Sequence, residues 1–184
     1  MFDLVYAGNI GPASDCETIV KAAKLLISYK DIHFHVVGDG VNRQICEKLA
    51  EGLENITFHG FYPVNKLKAF YDLADAFLIT MKDNEVVNYT LPAKMQSYML
   101  AAKPIVGAIN GETKRVIKVA NCGYCSEASN AHHLAENILS LKKDTEIKQK
   151  GKNALKYYQQ HFNKEKLLTQ FEEICSEMIQ EVEK

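Results

Sequence analysis

Hydrophobic and polar positions follow two different periods along this chain. Short runs rich in β-branched and aromatic residues alternate between two sides, as Phe34 and Val36 do against His33 and His35. Such runs predict strands at residues 4–7, 32–37, 56–59, 76–80, 105–108 and 124–126. Longer stretches with helical spacing separate them, at residues 16–28, 41–52, 64–74, 93–102 and 112–120.

Single helices between successive strands favour one fold class. They predict an α/β fold with a Rossmann-like, doubly wound parallel sheet of about six strands and right-handed crossovers. From residue 130 onward the pattern is helical, with breaks near Lys143 and Phe162. We therefore expect a Rossmann-like domain over residues 1–163 and an extra C-terminal helix over residues 164–184.

The composition fits one domain of ordinary size. The chain has 184 residues, 47% of them hydrophobic, and its net charge of -1 gives no long-range attraction to nucleic acid. No apolar run reaches the length of a membrane span, and no secretory segment follows Met1. Five scattered cysteines suit a reducing compartment, and the lone C-x-x-C of Cys122 and Cys125 is more typical of a buried turn than of zinc. We expect a cytoplasmic protein.

Glycine-rich loops follow the first three predicted strands. Open α/β sheets bind ligands outside the carboxyl ends of their strands, so these loops are candidates for one shared crevice. The loop AGNIGPASD lacks the third glycine of the dinucleotide fingerprint and the Gly-Lys-Ser/Thr of a P-loop. The third loop, HGFYP, holds two aromatic rings that can stack on a base. The candidate ligand residues of the three loops are Gly8, Asn9, Gly11, Gly38, Phe61 and Tyr62.

The segment TLPAKMQSYMLAAKPIVGAINGE, residues 90–112, carries the strongest functional pattern. Pro92 suits the start of a helix, since its missing N–H would have no partner there. The N-terminus of such a helix attracts anions, and Lys94 adds a formal charge at what we expect to be an exposed helix start. This pattern predicts the anion-binding half of a nucleotide site.

No set of histidines, cysteines and carboxylates has the spacing of a metal site. We expect a structural or surface role for the six histidines, and a solvated loop rather than a sugar contact at residues 83–85. We therefore predict no metal and no cofactor.

The order of the motifs resembles a known family. The successive pieces are YAGNIG, VVGDG, NITFHGFYP, YDLADAFLIT, the segment 90–112 and NCGYC, which together span about residues 5–162. They are similar to the C-terminal, donor-binding domain of retaining GT-B glycosyltransferases of the family 4-like (group 1) type that build bacterial surface polysaccharides. The resemblance implies that the first glycine loop and the Pro92 helix face the pyrophosphate of a nucleotide-sugar. It also implies that the loop after the third strand meets the base.

Two departures from the family pattern concern the same site. Many members have two glutamates at the positions of Tyr89 and Ser97, and the second holds the ribose. The alternatives for the ribose contact here are Gln96 and Ser97. Many members also have a basic pair near the first glycine loop, whereas here Lys94 is the main charge expected on the diphosphate. The segment and the residue before it thus contribute the donor-binding candidates Tyr89, Thr90, Pro92, Lys94, Gln96 and Ser97.

The resemblance implies an enzyme of two Rossmann-like domains, of which this chain is one half. We expect the preceding domain to supply the acceptor site and the catalytic residues, and the C-terminal helix to return to it. The expected reaction is transfer of a hexose or N-acetylhexosamine from a nucleotide-sugar, UDP first, to a glycan or lipid-linked acceptor in capsule, O-antigen or exopolysaccharide synthesis. Peripheral association of the full enzyme with the cytoplasmic face of the inner membrane fits such acceptors. The alternatives are a non-catalytic nucleotide-binding module and an epimerase-like protein.

Overall fold

The computed structural model describes residues 1–182 and contains one six-stranded parallel sheet. Its strands are β1 (Phe2–Ala7), β2 (Ile32–Val37), β3 (Ile56–Gly60), β4 (Ala76–Thr80), β5 (Ile105–Ala108) and β6 (Gly123–Ser126). The helices are α1 (Cys16–Leu25), α2 (Arg43–Leu49), α3 (Lys68–Leu73), α4 (Glu85–Asn88), α5 (Ala93–Leu100), α6 (Gly111–Val119), α7 (Ala131–Lys143), α8 (Ile147–His161) and α9 (Lys164–Val182).

The strand order is β3-β2-β1-β4-β5-β6, so the predicted doubly wound α/β fold is confirmed. The chain moves outward from β1 to β3, returns to the other side of β1 with β4, and continues to β6. β1 pairs with β2 along its whole length, and it pairs with β4 only at Leu4 and Val5. The reversal between β1 and β4 is the topological switch point, where folds of this kind leave a crevice outside the carboxyl ends of the strands.

Two apolar layers cover the sheet, one on each face. On one face Leu4, Tyr6 and Phe34 pack under α1 and α7. On the other face Phe77 of β4 stacks on Tyr98 of α5, with ring centroids 4.1 Å apart and an interplanar angle of 4°. Because β4 is buried at every position, its sequence is a continuous apolar run rather than an alternating one.

Helix α4 is the main difference from the predicted elements. The solvated loop predicted at residues 83–85 is exposed, and Glu85 at its end begins one helical turn, Glu85–Asn88, that was not predicted. The side-chain oxygen of Asn84 accepts hydrogen bonds from the backbone N–H of Val86 and Val87, at 3.0 and 3.4 Å, and so caps the turn. The predicted helix at residues 64–74 also divides, into a 3₁₀ turn at Val64–Lys66 followed by α3.

Three histidines lie together on one face of β2 and β3. The Nδ1 atom of His35 is 3.0 Å from Nε2 of His59, and its Nε2 atom is 3.1 Å from a carboxylate oxygen of Asp3. His33 contacts the hydroxyl of Thr57 at 2.8 Å. Burial lowers the pKa of His33 and His59. Their partners are one another and neighbouring strand residues.

The cysteines are thiols in this structure, all five of them free. Cys122 is buried, and its thiol donates to the carbonyl oxygen of Ile117 at 3.7 Å. Burial raises the pKa of Cys122 and Cys125 to about 12. Over residues 1–182, no group of three or more histidine, cysteine or carboxylate side chains is arranged to hold a metal ion. Over the same range no helix is both long and apolar enough to cross a bilayer.

Candidate functional site

The candidate site lies where the loops after β1, β2 and β3 meet the start of α5. On its other side the β1–α1 loop is bound to the end of β4. The hydroxyl of Thr80 donates to the carbonyl of Ser14 at 2.7 Å, and the backbone N–H of Lys82 donates to the carbonyl of Ala13 at 3.0 Å. The loop beside the switch point is therefore held from two strands at once.

The first two glycine loops pack backbone against backbone. The N–H of Gly8 donates to the backbone carbonyl of Val37 at 2.9 Å, and the N–H of Ile10 donates to the backbone carbonyl of Asp39 at 2.8 Å. Gly38 has φ 143°, and a Cβ atom there would lie 1.9 Å from the carbonyl oxygen of Gly8. Only glycine fits such a contact. The glycines that suggested a ligand loop thus also join the two loops to each other.

A cavity of about 390 Å³ opens between these loops and the loop after β3. It brings together five of the residues predicted from the sequence. Phe61 is 73% exposed at its mouth, so one face of the ring is free for another planar group. The cavity is lined by Gly8, Asn9, Val37, Gly38, Asp39, Phe61, Tyr62, Val64 and Leu67.

Lys94 reaches the same loops from the second position of α5. Pro92 precedes the helix in an extended conformation, with φ -61° and ψ 137°, and α5 begins at Ala93. The side chain of Lys94 runs back along the first turn until its Nζ and Cε atoms lie 3.0 Å from the position that a Cβ on Gly8 would occupy. The ammonium group donates to the hydroxyl of Tyr6 at 2.6 Å and lies 3.9 Å from the centroid of that ring.

The charge on Lys94 is poorly solvated. Contrary to the expectation of an exposed helix start, the residue is half-buried. Burial lowers the pKa of its ammonium group from 10.5 to about 8, and no carboxylate among the described residues offsets that shift. A desolvated cation without a counter-ion favours an incoming anion, which would restore the pKa toward its ordinary value.

The other candidates at residues 89–97 lie outside the cavity. Tyr89 is 81% exposed, and the hydroxyl of Thr90 donates to the carbonyl of Val87 at 2.9 Å. Gln96 is exposed on α5. Ser97 lines a neighbouring groove of about 550 Å³ between α3 and α5. The ribose contact therefore stays a prediction for Gln96 or Ser97.

Two tyrosines that support the site were not among the predicted residues. The hydroxyl of Tyr6 donates to the carbonyl of Asn9 at 2.7 Å, in addition to accepting from Lys94. The hydroxyl of Tyr98 accepts from the N–H of Ala7 at 2.8 Å and donates to its carbonyl at 3.1 Å. Both contacts join β1 to α5, which are about 90 residues apart in sequence. No local pattern indicates them, because each tyrosine alone looks like an ordinary core residue.

The structure is an α/β domain of the doubly wound class with a cavity between its loops, and comparison with known proteins identifies its family. Residues 2–144 match the family model described as Glycosyl transferases group 1. The chain therefore belongs to the group 1 glycosyltransferases.

Two curated relatives are bacterial proteins. The chain is 29% identical over 98 residues to the putative colanic acid biosynthesis glycosyl transferase WcaI of Escherichia coli K12, covering 52% of this chain and 24% of that protein. It is 23% identical over 183 residues to the N-acetyl-alpha-D-glucosaminyl L-malate synthase of Bacillus anthracis, covering 97% of this chain and 46% of that protein. The chain thus spans less than half the length of these relatives.

Solved structures share the fold at low sequence identity. The structure of Anabaena Alr3699/HepE in complex with UDP matches with a TM-score of 0.81 at 19% identity, covering 96% of this chain and 49% of that chain. This likeness confirms the fold.

Proposed function

We propose that this chain is the donor-binding half of a retaining glycosyltransferase, which moves a hexose or N-acetylhexosamine from a UDP-sugar to a glycan or lipid-linked acceptor. The observation that carries the proposal is the meeting of Lys94 with Gly8 beside an open cavity that holds aromatic rings. A cation, the backbone of a glycine loop and a helix N-terminus are together suited to a diphosphate.

The base and the diphosphate take neighbouring positions in this proposal. The base enters the cavity beside Phe61 and Tyr62, whose volume of about 390 Å³ lies within the range usual for small-molecule sites. The diphosphate lies between the Gly8–Asn9 loop and Lys94. Lys94 supplies the positive charge, so binding needs no divalent cation.

Two of the similar proteins support the choice of donor and pathway. The Anabaena protein with the same fold binds UDP, and the Escherichia coli relative is named for colanic acid biosynthesis. We therefore favour a UDP-sugar donor and a role in bacterial surface polysaccharide synthesis. The five free thiols suit a cytoplasmic enzyme acting at the inner face of the membrane where lipid-linked acceptors lie.

Calorimetric titration of UDP, GDP and ADP into the purified chain tests the proposal. We expect weak binding, strongest for UDP, and unchanged by EDTA. Failure to bind any of the three at millimolar concentration contradicts the proposal. Loss of binding in EDTA contradicts the part assigned to Lys94, and a preference for GDP or ADP contradicts the choice of donor.

The isolated chain is expected to transfer no sugar. The acceptor must be oriented against the donor, and this positioning is a large share of the catalytic effect. In our proposal the acceptor site belongs to a second domain. An assay with radiolabelled UDP-glucose and UDP-N-acetylglucosamine on a lipid-linked acceptor should show no product above background. Turnover by this chain alone would contradict the two-domain proposal, whereas UDP binding without transfer by a full-length protein would favour a non-catalytic nucleotide-binding module.

A further inference from the structure

Tyr6 occupies an unusual position between the core and the candidate site. It lies near the end of β1, and its side chain is fully buried. Its ring is part of the apolar layer under α1, while its hydroxyl reaches the carboxyl edge of the sheet. Burial raises the pKa of this phenol above its ordinary value, so the group stays protonated.

The hydrogen bonds of Tyr6 have a fixed direction. A phenol has one proton to donate, and here the acceptor is the carbonyl oxygen of Asn9 at 2.7 Å. The oxygen lone pairs of Tyr6 are then left for a donor, and the ammonium group of Lys94 fills that role at 2.6 Å. Lys94 has three N–H bonds. One is directed at Tyr6, and two remain for a ligand.

We propose that Tyr6 is a positioning residue of the donor site, whose hydroxyl ties the ammonium group of Lys94 to the Asn9 carbonyl and so fixes the cation against the glycine loop. This inference rests on the proposed function, because it takes Lys94 as the group that meets the diphosphate. The ring beneath the ammonium group adds a cation–π contact, with the centroid 3.9 Å from Nζ. Without the hydroxyl, the lysine keeps only the ring and moves among several rotamers.

Tyr98 provides a matched control. It is also a fully buried tyrosine, and its hydroxyl also bonds to the backbone of β1, at Ala7. Its hydroxyl has its two bonds with Ala7 and none with Lys94 among the described contacts. Removing this hydroxyl therefore disturbs the same strand without changing the surroundings of the cation.

The test compares Tyr6→Phe and Tyr98→Phe, each with Lys94 intact and with Lys94→Met. For Tyr6→Phe we expect UDP affinity to fall about five- to tenfold, which is less than for loss of a direct hydrogen bond between a charged group and the ligand, because Tyr6 acts through Lys94. In the Lys94→Met background the same change should alter affinity less than about twofold, since coupled residues are not additive. Tyr98→Phe should lower the thermal midpoint while giving equal effects in the two backgrounds.

A second readout needs no nucleotide. In a ¹³C NMR titration of the lysine ε-carbons, the Lys94 signal should have its midpoint near the pKa of about 8 in the wild type, and a lower midpoint in Tyr6→Phe, because the charged form has lost an acceptor. In the wild type, the ζ-carbon signal of Tyr6 should shift over the same pH range. Because this last measurement needs no variant, it tests the contact between Tyr6 and Lys94 even if Tyr6→Phe does not fold.

An unchanged Lys94 midpoint in Tyr6→Phe, or a Tyr6 signal that does not follow the lysine titration, overturns the inference. Equal losses of UDP affinity in both Lys94 backgrounds overturn it as well, since the effect would then be structural. If the wild type binds no nucleoside diphosphate while the NMR coupling is present, the proposed function fails and the tie between Tyr6 and Lys94 stands.

Discussion

Lys94 is the residue at which folding and function make opposite demands. Its ammonium group is removed from water without a carboxylate partner among the described residues, which costs free energy in the folded protein. The end of the side chain lies over the Tyr6 ring and beside Gly8, and the contact with the ring recovers some of that cost. A purely structural position would be better filled by an apolar residue of the same length, so the charge is what points to a ligand.

Replacing Lys94 by methionine should separate these two effects. Lys94→Met keeps an unbranched side chain but removes the charge. We expect UDP affinity to fall ten- to a hundredfold, which corresponds to about 1.5–3 kcal/mol for a charge-assisted contact. The free energy of unfolding should stay equal or rise. Calorimetry and urea denaturation measure the two quantities.

Lys152→Met on α8 is the matched control, because that lysine is exposed and does not line the cavity. Lys152→Met should change neither the UDP affinity nor the free energy of unfolding. Unchanged UDP affinity in Lys94→Met would exclude the diphosphate contact and leave the Gly8–Asn9 loop as the leading phosphate site. A marked loss of stability would instead make Lys94 a structural residue.

The pH dependence of stability gives an independent check on the same residue. The folded protein holds Lys94 at a pKa of about 8, against 10.5 ordinarily. Between these values the unfolded chain binds more protons at this position, so stability should rise with pH across that window. Urea denaturation at pH 7.5 and 9.5 should show that the free energy of unfolding rises more with pH in the wild type than in Lys94→Met. Parallel changes in the two proteins would contradict the lowered pKa.

At the scale of elements, the site depends on the contact between the β1–α1 and β2–α2 loops. Two backbone hydrogen bonds, from Gly8 to Val37 and from Ile10 to Asp39, hold them in register. The contact leaves no room for a side chain at Gly38, as the 1.9 Å distance to the carbonyl oxygen of Gly8 shows. The ligand loops are therefore one packed unit and not two independent turns.

Gly38→Ala should separate the loops. Gly52→Ala is the control, since Gly52 also has positive φ, at 79°, but nothing lies within 4 Å of its added Cβ. We expect Gly52→Ala to cost roughly 1–2 kcal/mol of conformational strain. Gly38→Ala should cost about 1–3 kcal/mol more, from overpacking, and it alone should weaken UDP binding. Denaturant unfolding measures the stability and calorimetry measures the UDP affinity. Equal losses of stability in the two variants would contradict the close packing of the two loops at Gly38.

At the scale of the whole molecule, α9 lies apart from the rest. The described side chains of this helix are exposed except at Cys175, which is half-buried. Among the described side chains of α9, the large hydrophobic ones are exposed between 46% and 64%, and they are Leu167, Leu168, Phe171, Ile174, Met178 and Ile179. The helix thus buries little apolar surface on the sheet domain, and its contribution to the stability of that domain should be small.

Deletion of residues 164–184 tests the predicted boundary at residue 163. We expect the thermal midpoint to change by less than about 3 °C, which corresponds to about 1 kcal/mol for a domain of this size. UDP affinity should be unchanged, because α9 contributes no residue to the cavity. Differential scanning calorimetry compares the two lengths. Deletion from residue 147 onward is the contrast and should lower the thermal midpoint strongly, since α8 packs on α5 and buries Ala154. An equally large fall of the thermal midpoint on deletion of residues 164–184 would contradict the boundary.

The sequence by itself determined the elements and the end of the sheet at which the site lies. Strand and helix periods are local, so residues 32–37, 76–80 and 105–108 were predicted with the bounds that the structure has. The single turn of α4 was missed, because it depends on the cap by Asn84 rather than on a hydrophobic period. Glycine loops after successive strands predicted a shared crevice, since parallel strands place their carboxyl ends together.

Only the tertiary structure decided how the side chains meet within that crevice. It placed Lys94 on Tyr6, 88 residues away, and it placed Ser97 in a neighbouring groove instead of the cavity. It also lowered the pKa of Lys94, which depends on how much water the surrounding chain excludes. Distances and desolvation are properties of packed neighbours far apart in the chain, and no local pattern of residues encodes them.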